Sequence, residues 1–124
     1  MDYAVIAESM EKIGALCVER AGVEPGMEVL DVGCGTGNAA IPAARLGARV
    51  TGLEPWGELL AIARERAADA MVEVDWVQGD PAALPFEAGR FDVVVSISGD
   101  PCVEEMRRVC RGRVAMYALT VLDA

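Results

Sequence analysis

Residues Val29 to Asn38 read VLDVGCGTGN, and this stretch limits the chain's architecture more tightly than any other. Gly33, Gly35 and Gly37 alternate with small residues behind a short apolar run that carries an acid, Asp31. Glycine reaches positive φ cheaply and has no Cβ, so this spacing marks a tight turn whose bare backbone something approaches closely. The preceding MEVLDV reads as a short buried strand, and a helix fits roughly residues 37–46 once the turn is made, although Pro42 is awkward there unless the helix starts near Ile41. Strand, glycine turn and helix in that order open a doubly wound α/β sheet. Ligands of such sheets sit beyond the carboxyl ends of the strands, where the strand order reverses.

The rest of the chain extends that unit. Val5, Ile6, Met10, Ile13 and Cys17 recur at helical steps over roughly residues 3–21, and Gly22 ends that helix. ARVTGLEP reads as a second strand, WGELLAIARERAADA as a helix with Leu59, Leu60, Ile62 and Ala63 inward, and MVEVDWVQGD as a third strand. FDVVVSIS is a fourth strand, DPCVEEMRRVCR a short helix and RVAMYALTVL a last strand. Strands alternating with helices predict a mostly parallel, Rossmann-like sheet of inferred order 3-2-1-4-5. At 124 residues the chain fits a single domain over residues 1–124.

Composition then excludes several functions. Asp and Glu number 20 against 11 Lys and Arg, a net charge of −9 that repels phosphate backbones and anionic bilayers. Neither nucleic acid nor a membrane is an expected partner. The apolar runs fall short of the ~20 residues of a membrane span. The start MDYAVIAESMEK also lacks a basic signal region, so the expected setting is cytoplasmic. With His 0, every Ser-His and Cys-His nucleophile scheme is removed. Cys17, Cys34, Cys102 and Cys110 have no C-x-x-C spacing and read as reduced thiols, with no metal site. Acid–base chemistry falls to carboxylates, Tyr3, Tyr117 or water.

A dinucleotide fingerprint G-x-G-x-x-G would place its third glycine at position 38, but that residue is Asn38. The G-x-G-x-G form therefore points to a different nucleoside and disfavours a nicotinamide oxidoreductase. Taken together and in order, VLDVGCGTGN, VTGLEP, WVQGDPAALPF and FDVVVS resemble the class I S-adenosylmethionine-dependent methyltransferases over roughly residues 2–98. The resemblance implies S-adenosylmethionine as cofactor. It implies that Gly33, Gly35 and Gly37 let the methionine part lie against the backbone while Asp31 helps to hold its ammonium group. Glu54 would bind the ribose hydroxyls, and an acid ending the second strand suits that task, because a carboxylate accepts two vicinal hydroxyls. Asp80 resembles the family acid that accepts the adenine amino group, with Ala82 and Leu84 near the ring; an Asx-type cap is the plainer reading of Asp80. Trp56 reads equally as a stacking cover for the nucleoside and as core.

The chain also departs from the family pattern. Only GDPC separates Ser98 from Val103, where the family places a loop and a helix, and CRGRV lacks the usual Pro-Gly pair. The resemblance further implies a minimal form without the family's last two strands and substrate cap. Asp100 is the one carboxylate placed to take a substrate proton, yet Asp100-Pro101 reads equally as a helix N-cap and first-turn pair. The leading function is a minimal methyltransferase acting on a small-molecule acceptor, its missing walls supplied by the N-terminal helix or a second subunit. A cofactor-binding module without catalysis is the alternative. Finally, VAMYALTVL, Val114 to Leu122, reads as an apolar edge strand and predicts a homodimer built on it, the alternative being a monomer whose final residues fold back over that edge.

Overall fold

The computed structural model of the chain describes residues 3–97, 102–116 and 120–124. Helix α1 (Tyr3–Arg20) leads to β1 (Glu28–Val32), followed by α2 (Ala40–Arg45), β2 (Arg49–Glu54), α3 (Gly57–Asp69) and β3 (Asp75–Gln78). The second half adds β4 (Phe91–Ser96), α4 (Val103–Val109), β5 (Cys110–Met116) and β6 (Thr120–Asp123). The strands form one sheet in the order β3-β2-β1-β4-β5-β6. All neighbours pair in parallel except β5 and β6, which are antiparallel. The order 3-2-1-4-5 expected from the alternating pattern is present, with one strand added outside it.

Alternation along the central strands builds a core on each face. Val29, Val93, Val95 and Ala115 pack with Cys17 and Val18 of α1 and Ala40 and Ala43 of α2. Leu30, Val94 and Val114 point the other way, toward Phe91 and toward Met106 and Val109 of α4. Burial on both faces is why β1 and β4 read as nearly unbroken apolar runs. Each of these fully buried Val, Leu and Phe side chains contributes about 1.5–3 kcal/mol. β1 and β4 lie side by side at the centre, so the reversal of strand order falls beside the glycine turn.

Several boundaries differ from those expected. α2 starts at Ala40, past residue 37 and beside the Ile41 start that Pro42 favours, because Gly35 and Gly37 hold φ of +54° and +93°, values no helix continues through. Pro42 therefore falls in the first turn of α2, where its missing N–H costs little. β3 spans only Asp75–Gln78, not residues 71–80, since Met71 ends the preceding helix at φ +56° with its side chain 91% exposed. In α3 the buried stripe is Leu60, Ala63 and Ala67, whereas Leu59 is half-buried and Ile62 is 45% exposed. A stripe made mostly of alanines sets α3 close to its neighbours, and the larger apolar side chains beside it fall outside the contact.

The largest correction concerns the last strand. Val114 to Leu122 is not one continuous strand: β5 ends at Met116 and β6 returns antiparallel, with Val114 opposite Leu122 and Met116 opposite Thr120. The sheet edge on that side is β6 and not β5. Its four residues end in Asp123, and a short edge strand carrying a charge is a weaker template for pairing than the long apolar edge expected from the sequence. Asp100, Pro101, Tyr117 and the side chain of Tyr3 lie outside the described residues. All four cysteines are free thiols; Cys17, Cys34 and Cys110 are buried and Cys102 is half-buried. Among the described residues, no helix is long and apolar enough to cross a membrane.

Candidate functional site

The turn after β1 is stitched to the end of β2. The amides of Gly33 and Cys34 both donate to the Leu53 carbonyl, at 2.8 and 3.0 Å, and Gly35 N–H donates to Glu54 Oε1 at 3.0 Å. Gly33, Gly35 and Gly37 all have positive φ, which explains three glycines where any other residue would be strained. At Gly37 a Cβ would press on Ile41 Cδ1 at 3.0 Å, so that face of the turn is filled. At Gly35 a Cβ would meet no atom of the described residues within 4 Å. The backbone at Gly35 is thus bare on a side that opens outward.

Glu54 ends β2 and is only 6% exposed. Its Oε2 accepts from Trp56 N–H at 3.1 Å, so each carboxylate oxygen receives one backbone amide. A carboxylate offers about four lone-pair positions, and two stay available for hydroxyl donors. The Glu54 carbonyl also accepts from Gly79 N–H at 3.3 Å, tying the turn after β3 to the same point. Trp56, at the N-cap of α3, is 65% exposed, which removes the core reading of this residue. Its indole stands free for a stacking contact.

Asp31 lies on the α1/α2 side of β1 and is fully buried. Oδ2 accepts from Ala40 N–H at 3.0 Å, fixing the start of α2, while Oδ1 has no hydrogen-bond partner among the described residues. Burial raises its pKa to about 8; the Ala40 amide opposes that rise and the nearby Glu54 charge adds to it. The carboxyl group therefore stands behind the turn, not on its open face. Burial and the same two acids push the Cys34 thiol far upward, and burial with Asp31 raises Cys17 to about 11. Neither thiol is a nucleophile at neutral pH.

Asp80 is exposed in the loop after β3, and its Oδ1 accepts from Ala82 N–H at 2.8 Å, the Asx-type turn that was the alternative to an adenine contact. Ala82 is exposed beside it and Leu84 is buried. Beyond this point α4 holds the loop: Leu84 N–H donates to Glu105 Oε1 at 2.8 Å, and Arg108 donates to the Leu84 and Phe86 carbonyls at 2.9 Å each. Phe86 packs edge-on against Phe91 with ring centroids 5.0 Å apart. Neither of two surface grooves, one of about 760 Å³ between α1, α2 and α3 and one of about 850 Å³ by the ends of α2 and α3, is lined by Asp31, Gly35, Glu54 or Asp80. Among the described residues, the site follows the carboxyl ends of β1, β2 and β3.

The structure brings Gly33, Gly35, Glu54 and Trp56 into one bonded group, with Asp31 behind it and Asp80 one residue beyond the Gly79 tie. Sequence reasoning missed Arg66, Glu105 and Arg108, which brace the loops. They sit on helical polar faces and carry no local signal. It also missed Gly14 of α1, where a Cβ would overlap the Asn38 carbonyl and stand 2.9 Å from Ala39 N. A glycine inside a helical pattern is the one sign that pointed there.

Bare backbone, a buried acid at the end of the second strand and an exposed aromatic define a Rossmann-like domain built to bind a nucleoside cofactor. A family model described as a methyltransferase domain matches residues 29–113, and the chain belongs to that family. S-adenosylmethionine is the cofactor that membership implies. An uncharacterized protein of Mycobacterium tuberculosis is 43% identical over 118 residues, covering 89% of this chain and 43% of the relative. The 2-phytyl-1,4-naphtoquinone methyltransferase of Synechocystis is 43% identical over 83 residues, covering 63% of this chain and 35% of that protein. The chain thus spans less than half the length of these relatives. The solved structure of a SAM-dependent methyltransferase from Aquifex aeolicus shares the fold at a TM-score of 0.71 and 19% identity, covering 94% of this chain and 72% of that one.

The residues present fit the cofactor. Gly35 leaves open space over the backbone, and Glu54 keeps acceptor capacity for hydroxyls.

Proposed function

We propose that the chain is the S-adenosylmethionine-binding core of a methyltransferase acting on a small-molecule acceptor. The observation that carries this is Glu54, a nearly buried carboxylate whose two oxygens are each fixed by one backbone amide beside the bare Gly35. Such anchoring holds the acceptor oxygens in place before any ligand arrives, so little ordering cost remains on binding. Glu54 would hold the ribose hydroxyls, Gly33 to Gly37 would admit the methionine part, and Trp56 would cover one edge of the nucleoside. Asp80 and Ala82 would face the adenine edge. Asp31 would act from behind the turn on the cationic end.

When bound, S-adenosylmethionine supplies a sulfonium-activated methyl group for in-line displacement by an acceptor nucleophile. The protein's share in such a reaction is orientation and the exclusion of water. Asp100 stays the candidate for accepting the acceptor's proton. The net charge of −9 supports a partner that is neither nucleic acid nor an anionic membrane, in keeping with a cytoplasmic setting. Self-association, where it occurs, would run through the edge strand β6.

Calorimetry with S-adenosylmethionine, S-adenosylhomocysteine and NAD tests the reading. The first two are expected to bind and NAD to show no heat of binding. Tight NAD binding with no response to S-adenosylmethionine would refute it.

A further inference from the structure

The glycine turn is held from two sides, and only one of them belongs to the candidate site. Glu54 takes the Gly35 amide from below. From the outer side Arg66 of α3 reaches the turn: Nη1 donates to the Thr36 carbonyl at 2.7 Å, to Thr36 Oγ1 at 2.9 Å and to Asn38 Oδ1 at 2.9 Å. Its Nη2 donates to Glu11 Oε1 of α1 at 2.7 Å. One guanidinium thus joins α1, α3 and the turn, and it is the planar fork that permits this; an ammonium would act as a single point. Arg66 is only 29% exposed in its side chain, so these bonds are partly shielded from water and salt.

We propose that Arg66 is a positioning residue for the cofactor turn, holding Thr36 and Asn38 so that the positive-φ backbone at Gly35 and Gly37 stays in its binding shape. The inference rests on the cofactor reading of that turn. Glycine at these positions gives the chain access to many other conformations, so a turn this glycine-rich needs outside restraints. Within the turn itself the closing bonds are Gly37 N–H to the Cys34 carbonyl at 2.9 Å and the weak Cys34 S–H contact to the Gly35 carbonyl at 3.9 Å. Loss of Arg66 frees the Thr36 carbonyl and the Asn38 amide oxygen together, and binding then has to re-order the segment.

The test is Arg66→Met measured two ways, with Arg64→Met, an exposed arginine on the same helix, as the control for net charge. S-adenosylhomocysteine affinity by calorimetry should fall about tenfold or more in Arg66→Met and stay within about twofold in Arg64→Met. Amide hydrogen exchange at Gly35 and Gly37 should quicken about tenfold, with the core strand amide of Val94 unchanged. Should Arg66→Met fail to fold, Arg66→Lys gives the same readouts, with both effects smaller but in the same direction. Unchanged exchange at the turn, a matching affinity loss in Arg64→Met, or exchange rising equally at Val94 would each overturn the proposal. Failure of the unaltered chain to bind S-adenosylhomocysteine would refute the cofactor reading instead, while exchange at the turn would still report on the restraint.

Discussion

Asp31 offers an unusually clean pH experiment. Its carboxyl is fully buried, with one oxygen unpartnered among the described residues, and its pKa is raised to about 8. In the unfolded chain the same group titrates near the ordinary value of about 3.9. Between those two values the unfolded state has lost the proton and the folded state keeps it, so stability falls as pH rises. The slope is about 1.4 kcal/mol per pH unit. From about pH 5.5 to about pH 7.5 the loss should come to about 2.5 kcal/mol. With no histidine in the chain, no other side chain at its ordinary pKa changes charge in that window. Asp92 and Glu105, whose pKa values are lowered by Arg111 and Arg108 respectively, give the opposite slope, but only at acid pH. Urea unfolding across the window should therefore show the midpoint falling steadily with pH. Asp31→Asn should give a flat profile: it is less stable than the parent at the acid end, by about 1–3 kcal/mol for the unpaired amide, and the gap closes or reverses toward neutrality. A parent profile that is flat over this window, or one that rises, would refute the reasoning, because Asp31 would then be ionised in the fold.

Glu54→Ala removes the hydroxyl acceptors and both backbone anchors. It should weaken cofactor binding by about 2–3 kcal/mol, roughly thirty- to over a hundredfold, as read by calorimetry. Asp80→Ala should cost less, since its Oδ1 already serves Ala82 and water can replace one exposed acceptor. Gly14→Ala should destabilise the chain by about 1–3 kcal/mol in denaturant unfolding despite alanine's better helix propensity, because the methyl would overlap the Asn38 carbonyl. A stability gain of about 1 kcal/mol would show that α1 can shift away from the turn. If copies pair through β6, sedimentation at micromolar concentration should show a dimer that Val121→Lys abolishes with cofactor binding intact; a monomer unaffected by concentration would exclude the pairing.

The element types, the strand order through β5 and the glycine turn of the candidate site were legible in the chain alone, because each rests on local chemistry. Val29 to Val32 and Phe91 to Ser96 are mostly apolar along both faces, broken only by Asp31, Asp92 and Ser96, as strands at the centre of a sheet are. The three glycines mark a backbone that no other residue adopts without strain. An acid ending the second strand is set by its distance from that turn. What needed tertiary structure is everything settled by which surfaces meet. The final apolar segment looks continuous along the chain, but its reversal after Met116 places β6 beside β5. Asp31 reads as an acid beside the glycine turn, and only the packing of α1 and α2 over β1 shows that it is fully buried and fixes the start of α2. Trp56 is ambiguous as a residue type, and its exposure removes the core reading. Arg66 looks like an ordinary solvated arginine on a helix, about thirty residues from the turn it grips. Local propensity reports what a segment prefers. A guanidinium that bridges two helices and a turn exists only once those elements have docked.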